Sequence, residues 1–168
     1  MTGALLPSPP TTGDVVDLSV PASPAYVAVV RTATAGLAAR VDITLDRIED
    51  LRIAVDEACA LLVRGPEHQQ LRADAVLHCR FVLHEESLTI EVHGPYAPLP
   101  ERDSFAWSVL SALVDGLESG HGSGPDDETI PTASNPSTAA DGEGAARGED
   151  VTSDGTWLRL VVRRGTGS

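Results

Sequence analysis

Residues that could bind a metal ion or attack a substrate are scattered along this sequence. The histidines and cysteines do not form two closely spaced pairs of ligands, which is the pattern of a zinc site. They are His68, His78, His84, His93 and His121, with Cys59 and Cys79. The serines at 104, 108 and 111 follow helical spacing, and no histidine or acidic residue is placed in sequence to activate them. The sequence therefore favours neither a metal centre nor a hydrolase triad, and both cysteines are expected to be buried, reduced thiols.

The overall composition limits the classes of partner. The 168 residues carry 25 acidic and 12 basic side chains, for a formal charge of −13. Such a charge repels phosphate backbones, so we expect no direct nucleic-acid binding. No apolar run approaches the roughly 20 residues that span a bilayer, so no membrane partner is expected, and residues 1–12 lack the features of an export signal. We therefore expect a cytoplasmic protein whose partners are proteins or small molecules.

The first half of the chain has the periodicity of a strand followed by two helices. Alternating apolar residues predict a strand at 15–20. Ser23 followed by proline is typical of a helix start, and apolar residues at helical spacing extend this first helix over 24–40. A second helix is predicted over 44–65, with acidic residues in its first turns, where the helix dipole favours them.

The second half of the chain alternates between β-rich and helical segments. Two β-rich runs, 75–83 and 88–92, are separated by four polar residues and predict an antiparallel hairpin. A third helix is predicted over 104–117, and period-two alternation predicts a last strand over 156–163. These elements are enough for a single two-layer domain.

The chain divides into one domain and two polar segments. Residues 120–153 contain seven acidic residues, one arginine and almost no large apolar side chain, so we expect a disordered acidic insertion. It is interpreted as a solubilising spacer or as a decoy that competes for basic surfaces on a partner. Residues 1–13 are expected to form a disordered tail. The domain itself is expected to comprise residues 14–119 and 154–164.

Two segments of the predicted helices resemble a known family. The run 48–59 reads Ile-Glu-Asp-Leu-Arg-Ile-Ala-Val-Asp-Glu-Ala-Cys, and the segment 24–40 contains the step Val29-Val30-Arg31. Both are similar to the RsbW and SpoIIAB type of anti-sigma factor, which are serine-protein kinases of the histidine-kinase-like ATPase superfamily. The resemblance implies a Bergerat fold. This is an α+β two-layer sandwich with a mixed, mainly antiparallel sheet covered on one face by helices.

The ATP-binding motifs of that family are degenerate in this sequence. The resemblance places Glu57 at the position of the catalytic base, but Leu61 stands where the family has the asparagine that holds Mg²⁺. The Asp-x-Gly-x-Gly motif, whose aspartate reads adenine, corresponds to residues 93–97 and retains Gly94 without an aspartate. The second glycine-rich motif corresponds to residues 104–108, which contain two bulky aromatic side chains.

These departures predict a vestigial pocket without kinase activity. An apolar side chain in place of a metal ligand leaves phosphate charge uncompensated. Burial of Leu61, Phe105 and Trp107 would fill the pocket and stabilise the fold. The residues expected to line it are Glu57, Leu61, Gly94, Ser104 and Trp107.

The resemblance also implies what the protein does. It implies an anti-sigma factor that sequesters an alternative sigma factor, is released by an anti-anti-sigma partner of the STAS type, and forms a homodimer through its first helix and first strand. Arg31 and Asp42 are the expected partner contacts. One alternative is an active serine/threonine-protein kinase that binds ATP and Mg²⁺ and phosphorylates the anti-anti-sigma factor. Another is a sensory domain whose pocket takes a different small ligand.

Overall fold

Five strands and three helices make up the parts of the chain that the structure, a computed structural model, describes: residues 13–63, 74–95, 97–122 and 155–165. The expected N-terminal tail and acidic insertion fall almost entirely outside these ranges. In chain order the elements are β1 (Asp14–Pro21), α1 (Pro24–Arg40), α2 (Leu45–Val63), β2 (Val76–Leu83), β3 (Ser87–Pro95), α3 (Phe105–Leu113), β4 (Gly116–His121) and β5 (Gly155–Arg163).

The first two helices confirm the sequence prediction. α1 begins at Pro24, where a missing N–H costs nothing, and follows Ser23, whose backbone is extended. The Ser23 side chain makes no capping hydrogen bond. α2 follows a short turn, and the N–H of Ile48 donates to the carbonyl of Thr44 at 2.9 Å. The predicted end of α2 near Gly65 lies outside the described residues. None of the helices in the described ranges is long and apolar enough to cross a membrane.

The strands form one sheet in the order β1-β2-β3-β5-β4. Every pairing between described strands is antiparallel, which agrees with the mainly antiparallel sheet expected from the resemblance. β2 and β3 form the predicted hairpin, with Phe81 opposite Ile90. Pro21 ends β1, an edge strand, where a residue without an N–H donor is tolerated.

The segment after α3 differs from the prediction. The third helix ends at Leu113 rather than at Leu117, and residues 116–121 form the edge strand β4. Residues 120 and 121, which the sequence analysis assigned to the expected insertion, therefore belong to β4. β4 contains two glycines that lie opposite large side chains of β5. A Cβ at Gly120 would lie 2.8 Å from the Trp157 ring, so this close approach requires glycine.

The hydrophobic core lies between the helices and one face of the sheet. Alternate residues of β2, β3 and β5 point towards the helices and are buried, as the period of a strand dictates. The largest fully buried side chains include Phe81, Leu51, Leu62, Ile90 and Leu160. Cys59 and Cys79 are free and buried in this core, as predicted, and contact with Cys79 together with burial raises the pKa of the Cys59 thiol.

The opposite face of the sheet is not covered by any described helix and carries a row of alternating charges. One residue from each strand contributes to this row, and cross-strand register aligns them. We call it the charge ladder; in sheet order it consists of Asp17, Arg80, Glu91, Arg159 and Glu118. Arg80 pairs with Asp17 at 2.8 Å, and Arg159 pairs with both Glu91 and Glu118. Opposite charges directly across strands stabilise a sheet.

Candidate nucleotide pocket and partner-binding residues

Glu57 and Leu61 lie one turn apart on α2. The Glu57 side chain is half-buried, and within the described ranges no hydrogen bond or ion pair reaches its carboxylate. Leu61 is partly buried and packs against the hydrophobic core. An apolar side chain therefore stands beside the carboxylate where the resemblance calls for a metal ligand. Across the described residues, no group of three or more His, Cys, Asp or Glu side chains converges on a possible metal position.

Gly94, near the end of β3, lies close to Leu62 of α2. A Cβ built on Gly94 would lie 3.0 Å from Leu62 Cβ and 3.0 Å from Leu77 Cδ2. Such contacts are tighter than ordinary van der Waals packing, so the position has no room for a carboxylate. The end of β3 is therefore packed directly against α2.

His93 and Gly94 lie on opposite faces of the sheet. The resemblance set His93 at the adenine-reading position. His93 pairs across strands with His78 and Trp157, on the face of the sheet away from the helices. Gly94 is the residue that faces α2. Residues 92–95 contain no carboxylate, so neither face carries an aspartate at this point of β3.

The start of α3 carries the aromatic residues that replace the second glycine-rich motif. Trp107 is 2% exposed, and its Nε1 donates to the carbonyl oxygen of Pro100 at 2.7 Å. The guanidinium carbon of Arg102 lies 4.3 Å from the Trp107 ring centroid, in a cation–π contact. Ser104 precedes the helix, and its Oγ is buried without a hydrogen-bond partner among the described residues.

Phe105 does not fill the pocket. Its side chain is 83% exposed, whereas the sequence predicted that Phe105 would be buried with Leu61 and Trp107. The helical turn explains the difference, because residues 105 and 107 point in directions about 200° apart on a helix of 3.6 residues per turn. Burial of Trp107 therefore leaves Phe105 in solvent.

Thr156, on β5, was not identified from the sequence. It is fully buried, and its Oγ1 donates to the carbonyl oxygen of Ala97 at 2.9 Å and accepts from the Ala97 N–H at 3.0 Å. The Nδ1 atom of His121 on β4 lies 3.1 Å from the same oxygen. Thr156 pairs across strands with Gly94, so it belongs to the same helix-facing side. The Thr156 hydroxyl thus links the segment after β3 to β5 by hydrogen bonds.

Arg31 and Asp42, the expected partner contacts, lie in different places. Arg31 is in the middle of α1, and its Nη1 donates to Oδ2 of Asp56 on α2 at 2.7 Å. Asp42 is in the turn between α1 and α2, has a left-handed backbone with φ of 54°, and its side chain is 83% exposed. Eleven residues separate them, or roughly 15 Å at the helical rise, so they do not form one site.

Several large apolar side chains of β1 and α1 are exposed. The exposed fraction is 38% to 50% for Val15, Val16, Tyr26 and Val29. Only Val30, Thr34 and Ala38 of α1 are buried, although most of its residues are apolar. Val16 pairs with the buried Phe81 and lies on the helix side of the sheet, whereas Val15 pairs with Val82 on the open face. We call Val16, Tyr26 and Val29 the β1–α1 surface, because exposed apolar residues on one side of a protein are typical of protein-binding regions.

Comparisons with known proteins agree with the fold and the motifs. Residues 20–106 match the family described as the histidine kinase-like ATPase domain. The chain is 37% identical over 119 residues to the serine-protein kinase RsbW of Bacillus velezensis, which covers 62% of this chain and 73% of that protein. It is 34% identical over 107 residues to the anti-sigma-F factor RsbW of Mycobacterium tuberculosis, covering 63% and 61% of the two chains.

Three further matches cover a smaller share of the related protein. The chain spans about half the length of RsbW from Bacillus pumilus, at 50%, and from Bacillus subtilis, at 52%. A crystal structure of the RsbU and RsbW domains of a Mycobacterium tuberculosis protein covers 89% of this chain and 32% of that one, with a TM-score of 0.54 and 14% identity. At this identity the structural match supports the fold alone. The chain belongs to the histidine kinase-like ATPase family, as a member of its RsbW-like group.

Proposed function

We propose that this protein is an anti-sigma factor that works by binding alone. It captures an alternative sigma factor, keeps it from RNA polymerase, and releases it when a STAS anti-anti-sigma partner competes for the same surface. A sigma-factor partner places the protein in the cytoplasm. The name of the Mycobacterium tuberculosis relative, anti-sigma-F factor RsbW, supports the anti-sigma role.

The packing around Gly94 carries the proposal that no phosphoryl transfer occurs. α2 and β3 touch at this point, because Leu62 and Leu77 occupy the space that a side chain on Gly94 would need. Leu61 adds an apolar group beside Glu57. Phosphate groups with their Mg²⁺ need charged or polar ligands at close range. The described residues that the resemblance places at the pocket do not offer that set.

The second candidate function is an active serine/threonine-protein kinase. Two relatives named serine-protein kinase RsbW, from Bacillus velezensis and Bacillus subtilis, support it. Within the described ranges, the carboxylate of Glu57 and the Oγ of Ser104 have no partner, so they are polar groups that a nucleotide could contact. This candidate requires ATP and Mg²⁺, and it requires α2 to move away from β3.

We further propose that the protein is a homodimer through the β1–α1 surface. That surface contains the first strand and first helix, as the family resemblance implies. Burial of an apolar side chain gains about 1.5–3 kcal/mol, so three such residues can contribute to an interface. Arg31 and Asp42 are the proposed contacts to the sigma factor, with Arg31 as the stronger candidate because arginine anchors interfaces well.

Binding to purified alternative sigma factors tests this proposal. Each sigma factor from the source genome is mixed with the protein, and complexes are followed by size-exclusion chromatography with light scattering and by interferometry. We expect a stable complex with at least one of them, a dimeric mass for the protein alone, and loss of the complex when a STAS partner is added. Absence of binding to every alternative sigma factor would overturn the anti-sigma assignment.

A further inference from the structure

α1 is an almost uncharged helix in a strongly acidic protein. Of the 17 residues from Pro24 to Arg40, only Arg31 and Arg40 are charged, and both are basic. Arg40 ends the helix, where a positive charge meets the negative end of the helix dipole. Arg31 lies in the middle of the helix, where the dipole gives no such reason for it. The helix dipole therefore accounts for the position of Arg40 but not for that of Arg31.

Arg31 already forms an ion pair with a carboxylate of the same chain. The Nη1 atom of Arg31 donates to Oδ2 of Asp56 at 2.7 Å, and both side chains are 37% exposed. A guanidinium has five N–H donors, and the described residues bond only one of its nitrogens. Arginine and carboxylate pair most strongly when two parallel hydrogen bonds form. The pair in this structure is therefore incomplete, and the second donor edge of Arg31 is available.

Asp56 is also incompletely bonded. Its Oδ1 is buried and accepts no hydrogen bond from any residue that the structure describes. A shielded carboxylate oxygen without a donor is unfavourable, so such an atom calls for an explanation beyond stability. A half-exposed ion pair with one hydrogen bond contributes little to folding. Stability therefore does not account for the placement of Asp56 against Arg31.

Apolar side chains adjoin the ion pair. Val27 lies one turn before Arg31 and is partly buried against the core. Ile53 lies nearly one turn before Asp56 and is 54% exposed. A charged anchor with apolar residues around it is the usual composition of an interface hot spot, where the rim excludes water. We call these four residues the α1–α2 seam.

We propose that the Arg31–Asp56 pair is the resting form of a carboxylate-binding site, in which Asp56 competes with an acidic side chain of the partner. The occupant is an Asp or Glu of the bound protein, with an apolar neighbour that covers Ile53. The identity of that protein as a sigma factor rests on the proposed function. Asp56 then sets the affinity, because the incoming carboxylate must displace it from Arg31 or share the guanidinium with it.

The substitution Asp56→Asn tests this competition. Asparagine keeps the shape and an oxygen that accepts from Arg31, but it removes the competing charge. We expect the sigma-factor complex to become about two- to fivefold tighter, which is the range that an exposed ion pair can supply. In the Arg31→Gln background the same substitution should have no effect. Glu49→Gln, which removes a charge from the 2.8 Å pair with Arg52 on the same helix, is the matched control and should change affinity less.

Three results would overturn the inference: unchanged or weaker binding by Asp56→Asn, a gain that persists in Arg31→Gln, or an equal gain with Glu49→Gln. A second readout does not need the sigma factor. Oligo-aspartate, titrated into ¹⁵N-labelled protein, should shift the Arg31 side-chain resonance at lower concentration in Asp56→Asn than in the wild type. Equal shifts in both proteins would reject the competition. If no sigma factor binds but the titration behaves as expected, the proposed function fails and the carboxylate site stands.

Discussion

At the scale of single residues, the candidate pocket differs from the family motifs in the types of its side chains. Leu61 and Gly94 were identified from the sequence, because Leu61 departs from one short family motif and Gly94 is the glycine that a second motif retains. Thr156 was not found, since a threonine in a strand is ordinary and its hydroxyl contacts come from a distant segment. Phe105 was misjudged because a count of bulky residues does not tell which side of a helix each one takes.

Gly94→Ala tests the close packing of β3 against α2. The new methyl group would lie 3.0 Å from both Leu62 and Leu77, so either the side chains or the strand must shift. We expect a loss of about 1–3 kcal/mol in the free energy of unfolding, measured by urea denaturation.

Gly36→Ala is the matched control for that substitution. A Cβ at Gly36, in exposed α1, meets no atom within 4 Å, and alanine in a helix interior gains about 0.5–1 kcal/mol over glycine. The two variants should therefore change stability in opposite directions. A Gly94→Ala protein as stable as the wild type would show that the space between α2 and β3 is larger than described.

At the scale of elements, periodicity was sufficient for the helices and for the hairpin. α1 has the predicted bounds, and β2 and β3 pair as expected, because their apolar residues alternate clearly. β4 could not be predicted, since Gly116 and Gly120 weaken its strand pattern and its pairing depends on β5, far along the chain. The register of the five strands likewise cannot be predicted from local sequence, so the charge ladder is visible only in the structure.

The open face of the sheet predicts a dependence of stability on pH. Burial and the neighbouring His93 lower the pKa of His78 from 6.5, while Asp17 acts in the opposite direction. The Ser19 hydroxyl lies 2.8 Å from Nδ1 of His78. The folded protein therefore favours neutral His78, and the unfolded chain binds more protons below pH 6.5. Stability should fall as the pH is lowered from about 7 through that value.

His78→Gln isolates this contribution. We expect the free energy of unfolding, measured by denaturant titration between pH 5 and 8, to depend less on pH in the variant than in the wild type. His84→Gln, in the exposed turn after β2, is the matched control. An unchanged pH profile in His78→Gln would contradict the assignment.

Glu91 of the charge ladder makes the stability depend on pH in a second, more acidic range. Burial alone would raise the pKa of Glu91, but His93 and the Arg159 guanidinium lower it to about 2. Its stabilising effect is therefore complete above about pH 4.5 and is lost as the pH falls towards 2. This loss of stability at acidic pH should remain in the His78→Gln variant.

At the scale of the whole molecule, the proposed function combines an ATPase-family fold with the loss of its nucleotide site. The helix layer packs directly on the sheet at Gly94, and Thr156 links the following segment to β5 by hydrogen bonds. The parts proposed to bind a partner, by contrast, carry exposed apolar residues and the Arg31–Asp56 pair. This division favours a protein that is used for binding.

The most direct test is calorimetric titration of ATP and Mg²⁺ into the full chain, with transfer of labelled γ-phosphate to a STAS partner measured in parallel. The serine-protein kinase RsbW of Bacillus subtilis with its own partner serves as the positive control for the assay. We expect no heat of binding and no transfer, and Glu57→Ala should behave as the wild type. Micromolar ATP binding with phosphate transfer that Glu57→Ala abolishes would contradict the account and establish the protein as a kinase.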